Sequence, residues 1–314
     1  MTPAQSSVTQ LLLEHRRPRR GWAVGRRPGP AATLLPRIDG YQLLRKVGEG
    51  RLAAVYLAHD PAGKPVALKL LRREHARNDA RTAAFVREFA VPRAIRSPHI
   101  VRVFDQLIGD GCAAIAMEYL GGGHLGDIIR ERPTPGAALF LLRQAALALD
   151  ALHRAGYAHG DVKPANLLLR ATGELVLADF GSARRLNDVP LAAQPGLVTG
   201  TPRYAAPEQS ESGAAAPASD VYSLGIVCYE MLCGKPPFPG ETVMEVRCQH
   251  LLAAVPPLPD ELARLQPLLD GMLARQAGSR LADGRAVVEL IDFILGAAPL
   301  HPTPSGAFSS RCPT

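Results

Sequence analysis

Two hydrophobic periods follow one another along this chain. Between residues 41 and 71, short apolar or β-branched runs alternate with Gly and Pro turns; beyond about residue 136, apolar positions recur at helical spacing. The runs 41–47, 54–59 and 65–71 predict three antiparallel strands. The stretch 78–95 predicts a helix, and 101–107 and 112–118 predict two further strands. Gly121-Gly122-Gly123 interrupts the pattern and is expected to act as a joint between two lobes. After it, 136–155 carries Leu139, Leu142, Ala145, Ala146, Leu149 and Leu152 on one helical face. Further helices are predicted at 221–232, 243–252, 261–274 and 285–295, with a small hairpin from 167–169 and 175–178. The expected class is therefore α+β, a small antiparallel sheet with one helix followed by a larger, mainly helical lobe.

The two ends depart from this pattern. Residues 1–36 are rich in Pro, Arg and Gly without sustained periodicity, and 298–314 are rich in Pro and Ser; both are expected to be disordered. The chain has 314 residues and a formal net charge of +7, and residues 1–40 hold seven Arg against only Glu14 and Asp39. The basicity thus belongs to a leader, which suits an acidic partner or an anionic surface rather than a nucleic-acid interface on the fold. All but five of the 36 basic residues are Arg, so each Lys (46, 64, 69, 163, 235) stands out. Five scattered Cys (112, 228, 233, 248, 312) form no C-x-x-C pair, which argues against a zinc site or disulfide framework and for a reducing compartment. No run approaches the roughly 18 apolar residues of a membrane span, and Leu11-Leu12-Leu13 is too short for a signal-peptide core. A cytoplasmic location is expected.

The chemistry-bearing residues are concentrated in a few motifs. His159-Gly-Asp-Val-Lys-Pro-Ala-Asn166 brings an acid, a cation and an amide together, and Asp179-Phe180-Gly181 and Ala206-Pro207-Glu208 follow it. Upstream lie Gly48-Glu-Gly50-Arg-Leu-Ala53-Ala54-Val55 and Val66-Ala67-Leu68-Lys69. Glycines permit close backbone approach to phosphate oxygens. A dinucleotide fingerprint would need a helix next, whereas 54–59 reads as a strand. In this order and spacing the motifs resemble Hanks-type (eukaryotic-like) serine/threonine protein kinases, with a bacterial relative suggested by the compact motif set and the Arg-rich coding bias. The resemblance covers about residues 41–297 and implies a two-lobed kinase domain at 37–297, with an N-lobe of about 41–120 and a C-lobe of about 121–297.

The resemblance implies a role for each matching residue. Asp161 would orient or accept the proton of the attacking hydroxyl, and Lys163 would neutralise the transferred phosphoryl group. Asn166 and Asp179 would hold Mg²⁺, with Mn²⁺ as an alternative ion. Lys69 would hold the ATP phosphates and be oriented by Glu88. Val47, Gly48, Gly50, Val55, Ala67 and Leu168 would surround the nucleotide, and Met117, Glu118 and Leu120 would form the hinge strand that meets adenine. Thr199 and Thr201 belong to the activation segment. Glu208 would pair with Arg280, and Asp220 would tie the catalytic-loop backbone to a central helix. His159 is expected to be a packed structural histidine.

Three positions depart from the family pattern. Ala53 replaces a third glycine and is expected to stiffen the loop tip. Pro92, one turn after Glu88, should kink or end its helix and alter how firmly Glu88 is held. Gly160 stands where many relatives carry an Arg that pairs with a phosphorylated activation loop, so strict dependence on such a phosphate is not expected. The implied reaction is ATP γ-phosphate transfer to protein Ser or Thr hydroxyls, with autophosphorylation of Ser6, Ser7, Ser305, Ser309 or Ser310 as one outlet. The competing readings are a catalytically weak ATP-binding scaffold, a small-molecule kinase of related fold, and a nucleic-acid binder acting through the leader.

Overall fold

The computed structural model describes residues 36, 38–50, 52–72, 79–109, 112–187, 201–212 and 215–297. Thr199, the leader and the Ser-rich tail lie outside the described residues. What is described divides into two compact units. One holds the residues up to Phe85 together with Arg102–Leu120; the other holds Val86–Val101 and the residues from Gly121 onward.

The first unit is a five-stranded antiparallel sheet of β1 (Gln42–Glu49), β2 (Ala53–His59), β3 (Pro65–Leu71), β4 (Val103–Gly109) and β5 (Cys112–Glu118), in the order β1-β2-β3-β5-β4. The predicted runs match these strands to within two residues. Alternation decides the faces. Ala58, Val66, Leu68, Leu70, Ala114 and Ala116 form one buried cluster, with Tyr41, Leu43, Tyr56 and Leu107 against it. The other face follows from register: Gly48 pairs with Val55, Val55 with Lys69, and Ala67 with Met117. Directly paired residues share a face, so five of the nucleotide candidates sit together on the side opposite the cluster.

Helix α1 (Asp79–Arg93) crosses the boundary between the units, which falls after Phe85. It ends one residue beyond Pro92, in line with the missing donor of proline. The chain leaves it through short-range bonds from Ala94 to Ala90 and Val91 and from Ile95 to Pro92.

The second unit is built on α3 (Pro135–Arg154), capped where Thr134 Oγ1 accepts from the Ala137 N–H at 3.3 Å. Short α2 (Leu125–Arg130) precedes it. Helix α3 is long and apolar enough to cross a membrane by length and composition alone, yet its apolar positions are packed inside the unit. Leu139, Leu142, Leu149 and Leu152 are buried, and α5 (Pro217–Cys233) and α8 (Gly284–Ala297) pack on it. The approach of α8 is close enough that a Cβ on Gly284 would lie 2.3 Å from the Asp150 nitrogen. The hairpin β7 (Leu167–Leu169) and β8 (Leu175–Leu177) matches expectation, and β6 (Tyr157–Ala158) pairs with β9 (Arg184–Arg185). Two short helices, α4 (Pro207–Ser212) and α6 (Val243–Leu252), complete the outer layer with α7 (Gln266–Leu273).

One expectation needs correction. The helix expected at 261–274 is a 3₁₀ turn over Asp260–Leu265 followed by α7, because Pro267 has no N–H and opens a new helix rather than continuing one. The Gly121–Gly123 run opens the second unit, where a joint was expected, and it is fastened there by hydrogen bonds. Gly122 N–H bonds the Leu169 carbonyl and Leu169 N–H bonds the Gly123 carbonyl, both at 2.9 Å, and a Cβ on Gly122 would come within 2.5 Å of the Arg170 carbonyl oxygen.

Leu149 lies on α3 and is 1% exposed. Leu149→Ala is expected to cost about 2–5 kcal/mol through lost contacts and a residual cavity. The loss would be read from urea unfolding followed by far-ultraviolet circular dichroism. A loss below about 1 kcal/mol would mean that the site collapses to fill the space.

Candidate active site

The catalytic loop begins where β6 delivers His159, which is fully buried. Its Nε2 faces the Ala178 carbonyl at 3.1 Å and its Nδ1 accepts from the Asp161 N–H at 3.3 Å, so the proton sits on Nε2. Its ring meets Phe180 edge-on at 5.1 Å. Both nitrogens are therefore engaged, and His159 is a structural residue, in agreement with the sequence reading.

Asp220, on α5, fixes the loop backbone. Its Oδ2 accepts from the His159 N–H (2.7 Å) and from His153 Nε2 (3.0 Å), and its Oδ1 accepts from the Gly160 N–H (2.8 Å). The Gly284 N–H donates to His153 Nδ1 at 3.2 Å, which leaves Nε2 as the protonated nitrogen aimed at Asp220.

On this frame four expected residues come together. Lys163 Nζ donates to Asp161 Oδ2 (2.5 Å) and to Thr201 Oγ1 (2.9 Å). Thr201 Oγ1 in turn donates to Asp161 Oδ1 (3.0 Å). Asn166 Nδ2 donates to the Asp161 carbonyl (2.9 Å) and approaches its Oδ2 (3.3 Å). This orientation leaves the Asn166 oxygen as its outward acceptor. Asp179 adopts φ 67°, ψ 69°, left-handed geometry that is costly for a residue with a Cβ and is typical of constrained functional positions. A Cβ on Gly181 would stand at ordinary contact distance, 3.7 Å from Asp179 Oδ1 and 3.8 Å from Glu88 Oε2, so both carboxylates lie beside this turn. Glu88 itself is buried. The amide oxygen of Asn166 and the carboxylate of Asp179 are hard oxygen donors, which fit Mg²⁺ or Mn²⁺ sharing phosphate and water ligands.

The activation segment is anchored through Glu208. Arg280 donates Nη1 to Oε1 (2.7 Å) and Nη2 to Oε2 (2.8 Å), a bidentate pair, and directs its remaining donors to the carbonyls of Ala218, Ala274 and Arg275. Ser219 Oγ adds a bond to Glu208 at 2.8 Å. Burial alone would push the Glu208 carboxyl up; the Arg280 hydrogen bonds, its backbone N–H and Ser219 outweigh that and hold it below the usual carboxylate range.

Two anchors escaped the sequence reading. Tyr204 donates to Glu230 Oε2 at 2.8 Å, and burial followed by the Glu230 charge raises its phenol. His250 accepts at Nδ1 from the Tyr222 hydroxyl (2.8 Å) and meets the Arg203 carbonyl with Nε2 (3.1 Å). Burial lowers its pKa to about 4, partly opposed by the Arg203 bond. Its position on α6 carried no motif; only the fold brings it to Arg203.

In the first unit, Lys69, Ala67, Val55, Gly48 and Met117 share the sheet face described above, and Val47 and Gly50 flank the turn that links β1 to β2. The Gly50 N–H closes that turn on the Ala53 carbonyl at 2.8 Å. Ala53 is thus a buried residue opening β2 rather than part of a stiffened tip. Glu49 braces the same turn: Lys46 Nζ and Arg72 Nη2 each donate to it at 2.6 Å, and these bonds, that from Lys46 foremost, lower its carboxyl. The Glu118 N–H donates to the Arg102 carbonyl and its side chain accepts from the Arg102 N–H, both at 2.9 Å, so any contact it makes with a base would use its carbonyl. Leu120 follows that strand. Glu88 and Leu168 belong to the second unit, as do Asp161, Lys163, Asn166 and Asp179.

A protein kinase domain family model matches residues 41–290. A serine/threonine-protein kinase of Corynebacterium efficiens is 37% identical over 272 residues, covering 83% of this chain and 52% of that protein. The PknA kinase of Corynebacterium glutamicum is 34% identical over 275 residues, covering 84% and 58%. The PknA kinase of Mycobacterium tuberculosis is 34% identical over 273 residues, covering 84% and 63%. The chain therefore spans between half and two thirds of the length of these curated relatives.

Two pH-linked outcomes are expected. Folded His250 takes up a proton near pH 4 and the unfolded chain near 6.5. Between those values the unfolded state binds more protons, so stability falls as pH falls through that window, and His250→Gln should flatten the slope. Glu208 has the carboxylate sense: its contribution is present above the unfolded pKa of about 4.3 and is lost as pH drops through the lower folded value. Glu208→Gln, which strands a buried guanidinium, should cost about 3–5 kcal/mol at neutral pH. Chemical denaturation at a series of pH values measures both, and an unchanged slope in His250→Gln would contradict the first.

Proposed function

The chain belongs to the protein kinase family, in the Hanks-type serine/threonine branch of its bacterial relatives, and from that footing we propose that it transfers the γ-phosphate of ATP to Ser or Thr hydroxyls of protein substrates. The observation that carries this reading is the Asp161–Lys163–Thr201 triangle, with Asn166 bonded to the same aspartate. In it Asp161 is the group that orients the attacking hydroxyl and takes its proton. Lys163 sits where negative charge develops and neutralises it. Thr201 fixes both and shapes the acceptor side. Asn166 and Asp179 are the oxygen donors for Mg²⁺ or Mn²⁺, and the ion when bound supplies charge neutralisation at the phosphates. Lys69 is the phosphate-binding cation, with Glu88 as its orienting partner. Val47, Gly48, Gly50, Val55, Ala67, Met117, Glu118, Leu120 and Leu168 receive the nucleotide. Glu208, Arg280 and Asp220 support the loop and do not touch substrate.

The same reading assigns residues 37–297 to the kinase domain. With ATP as donor it locates the domain in the cytoplasm, with proteins as substrates and an acidic partner or anionic surface for the basic leader. It includes activity that does not strictly depend on activation-loop phosphorylation. Gly160 has φ +77°, and a Cβ there would meet Ala215 Cβ at 3.0 Å and the Ser182 carbonyl at 3.2 Å, which argues against a side chain at this position.

The test is ³²P transfer from ATP with Mg²⁺, to the protein itself and to a generic basic protein. Asp161→Asn and Lys69→Met are each expected to lower transfer by about 100-fold or more. Thr199→Ala is expected to keep most of the activity. Loss of transfer in Thr199→Ala, with the fold intact, would sink the phosphate-independence, and ATP binding without transfer in the wild type would favour the scaffold reading.

A further inference from the structure

Gln209 follows the Ala206-Pro207-Glu208 motif directly, on α4, and is 3% exposed. Its side chain makes two bonds of opposite sense. Oε1 accepts from the Ala206 N–H at 2.9 Å, and Nε2 donates to the Gly160 carbonyl at 3.1 Å. One buried amide therefore bridges the end of the activation segment and the residue before Asp161.

The bridge completes the restraint of Gly160. Its N–H is held by Asp220 Oδ1 and its carbonyl by Gln209, while the next N–H, that of Asp161, is held by His159 Nδ1. The peptide plane that sets the direction of Asp161 is thus gripped on its oxygen by Gln209 and on its nitrogen by His159. Gly160 adopts a positive φ and has no side chain to bias this plane, so hydrogen bonds must define it. The grip is neutral and needs no modification of the chain.

We propose that Gln209 is a positioning residue for the phosphoryl-transfer reaction: its amide couples the end of the activation segment to the orientation of Asp161, in place of a charged, phosphate-dependent coupling. This rests on the kinase reading above, and it deepens that reading by naming the residue through which the activation segment acts on the catalytic aspartate.

Gln209→Glu keeps shape and the bond from Ala206 but turns the donor to Gly160 into an acceptor. At about pH 8 it is expected to lower kcat about tenfold or more, with KM for ATP within about threefold of wild type. As pH falls, the carboxyl introduced by this substitution takes up a proton and again donates to the Gly160 carbonyl, so the deficit relative to wild type should narrow. Gln209→Leu makes neither bond and is expected to lose activity without that recovery. Amide hydrogen exchange over residues 159–166, measured on full-length protein without ATP, is expected to rise in both variants. Three results would overturn the proposal: kcat of Gln209→Glu within about twofold of wild type at about pH 8, a deficit as insensitive to pH as that of Gln209→Leu, or unchanged exchange. If the wild type itself transfers no phosphate, the kinase reading fails on its own, and the exchange measurement still decides whether Gln209 holds the loop.

Discussion

The buried carboxylate of Asp220 is the constraint on which the second unit depends. At 1% exposure it must find its donors inside the protein, because an ionised carboxylate removed from water is costly unless hydrogen bonds replace its hydration. It finds them in two consecutive backbone N–H groups of the catalytic loop and in the His153 ring on α3. The loop, α3 and α5 are therefore tied by one group that none can abandon separately. Helix α5 suits that role because Val221, Leu224, Ile226, Val227 and Cys228 are buried around it. The Cys228 thiol, pushed up to about 12 by burial, behaves there as a packed apolar group rather than a nucleophile. Catalytic geometry thus inherits the rigidity of the most buried helix in the unit.

What could be read in advance follows from how local each signal is. Strands β1–β5 were legible because period-two alternation between Gly and Pro turns is a local pattern, and the grouping of Asp161, Lys163 and Asn166 was legible because the three fall within six residues. Helix α2 and the β6–β9 pair were not, since six residues and two residues are too short to show a period. The broken helix at 260–273 was misread because apolar spacing outweighed Pro267, whose missing N–H decided the matter. Asp220, Glu208 and Arg280 were legible only through resemblance to a family. Gln209, His153 and His250 acquire their roles from partners 49, 67 and 47 residues away in sequence, and no local pattern announces such contacts.

The supports around the site differ in kind. Glu208–Arg280 is ionic, fully hydrogen-bonded and buried on the arginine side, an arrangement whose value lies in specifying one geometry more than in net stability. His250 works as a neutral ring between Tyr222 and the Arg203 carbonyl, and burial keeps it neutral. Asp161 and Lys163, by contrast, keep partial exposure and pair through a contact that an incoming hydroxyl and phosphate would share. Fixed charges are sealed into the frame, and the partly exposed pair is, on the proposed reading, where substrate would arrive.

Gly160 is where these two classes meet. An arginine there would be a charge waiting for a counter-ion, and the loop would be ordered only once that ion arrived. Glycine carries no such charge, and it also lacks the steric bias that would define the peptide before Asp161. The loop must recover that definition from hydrogen bonds, and both the N–H and the carbonyl of Gly160 are in fact taken by buried side chains, Asp220 and Gln209. On the proposed reading, the glycine at position 160 and the neutral amide clamp are two aspects of one solution, in which order in the catalytic loop is built into the fold instead of being supplied by modification.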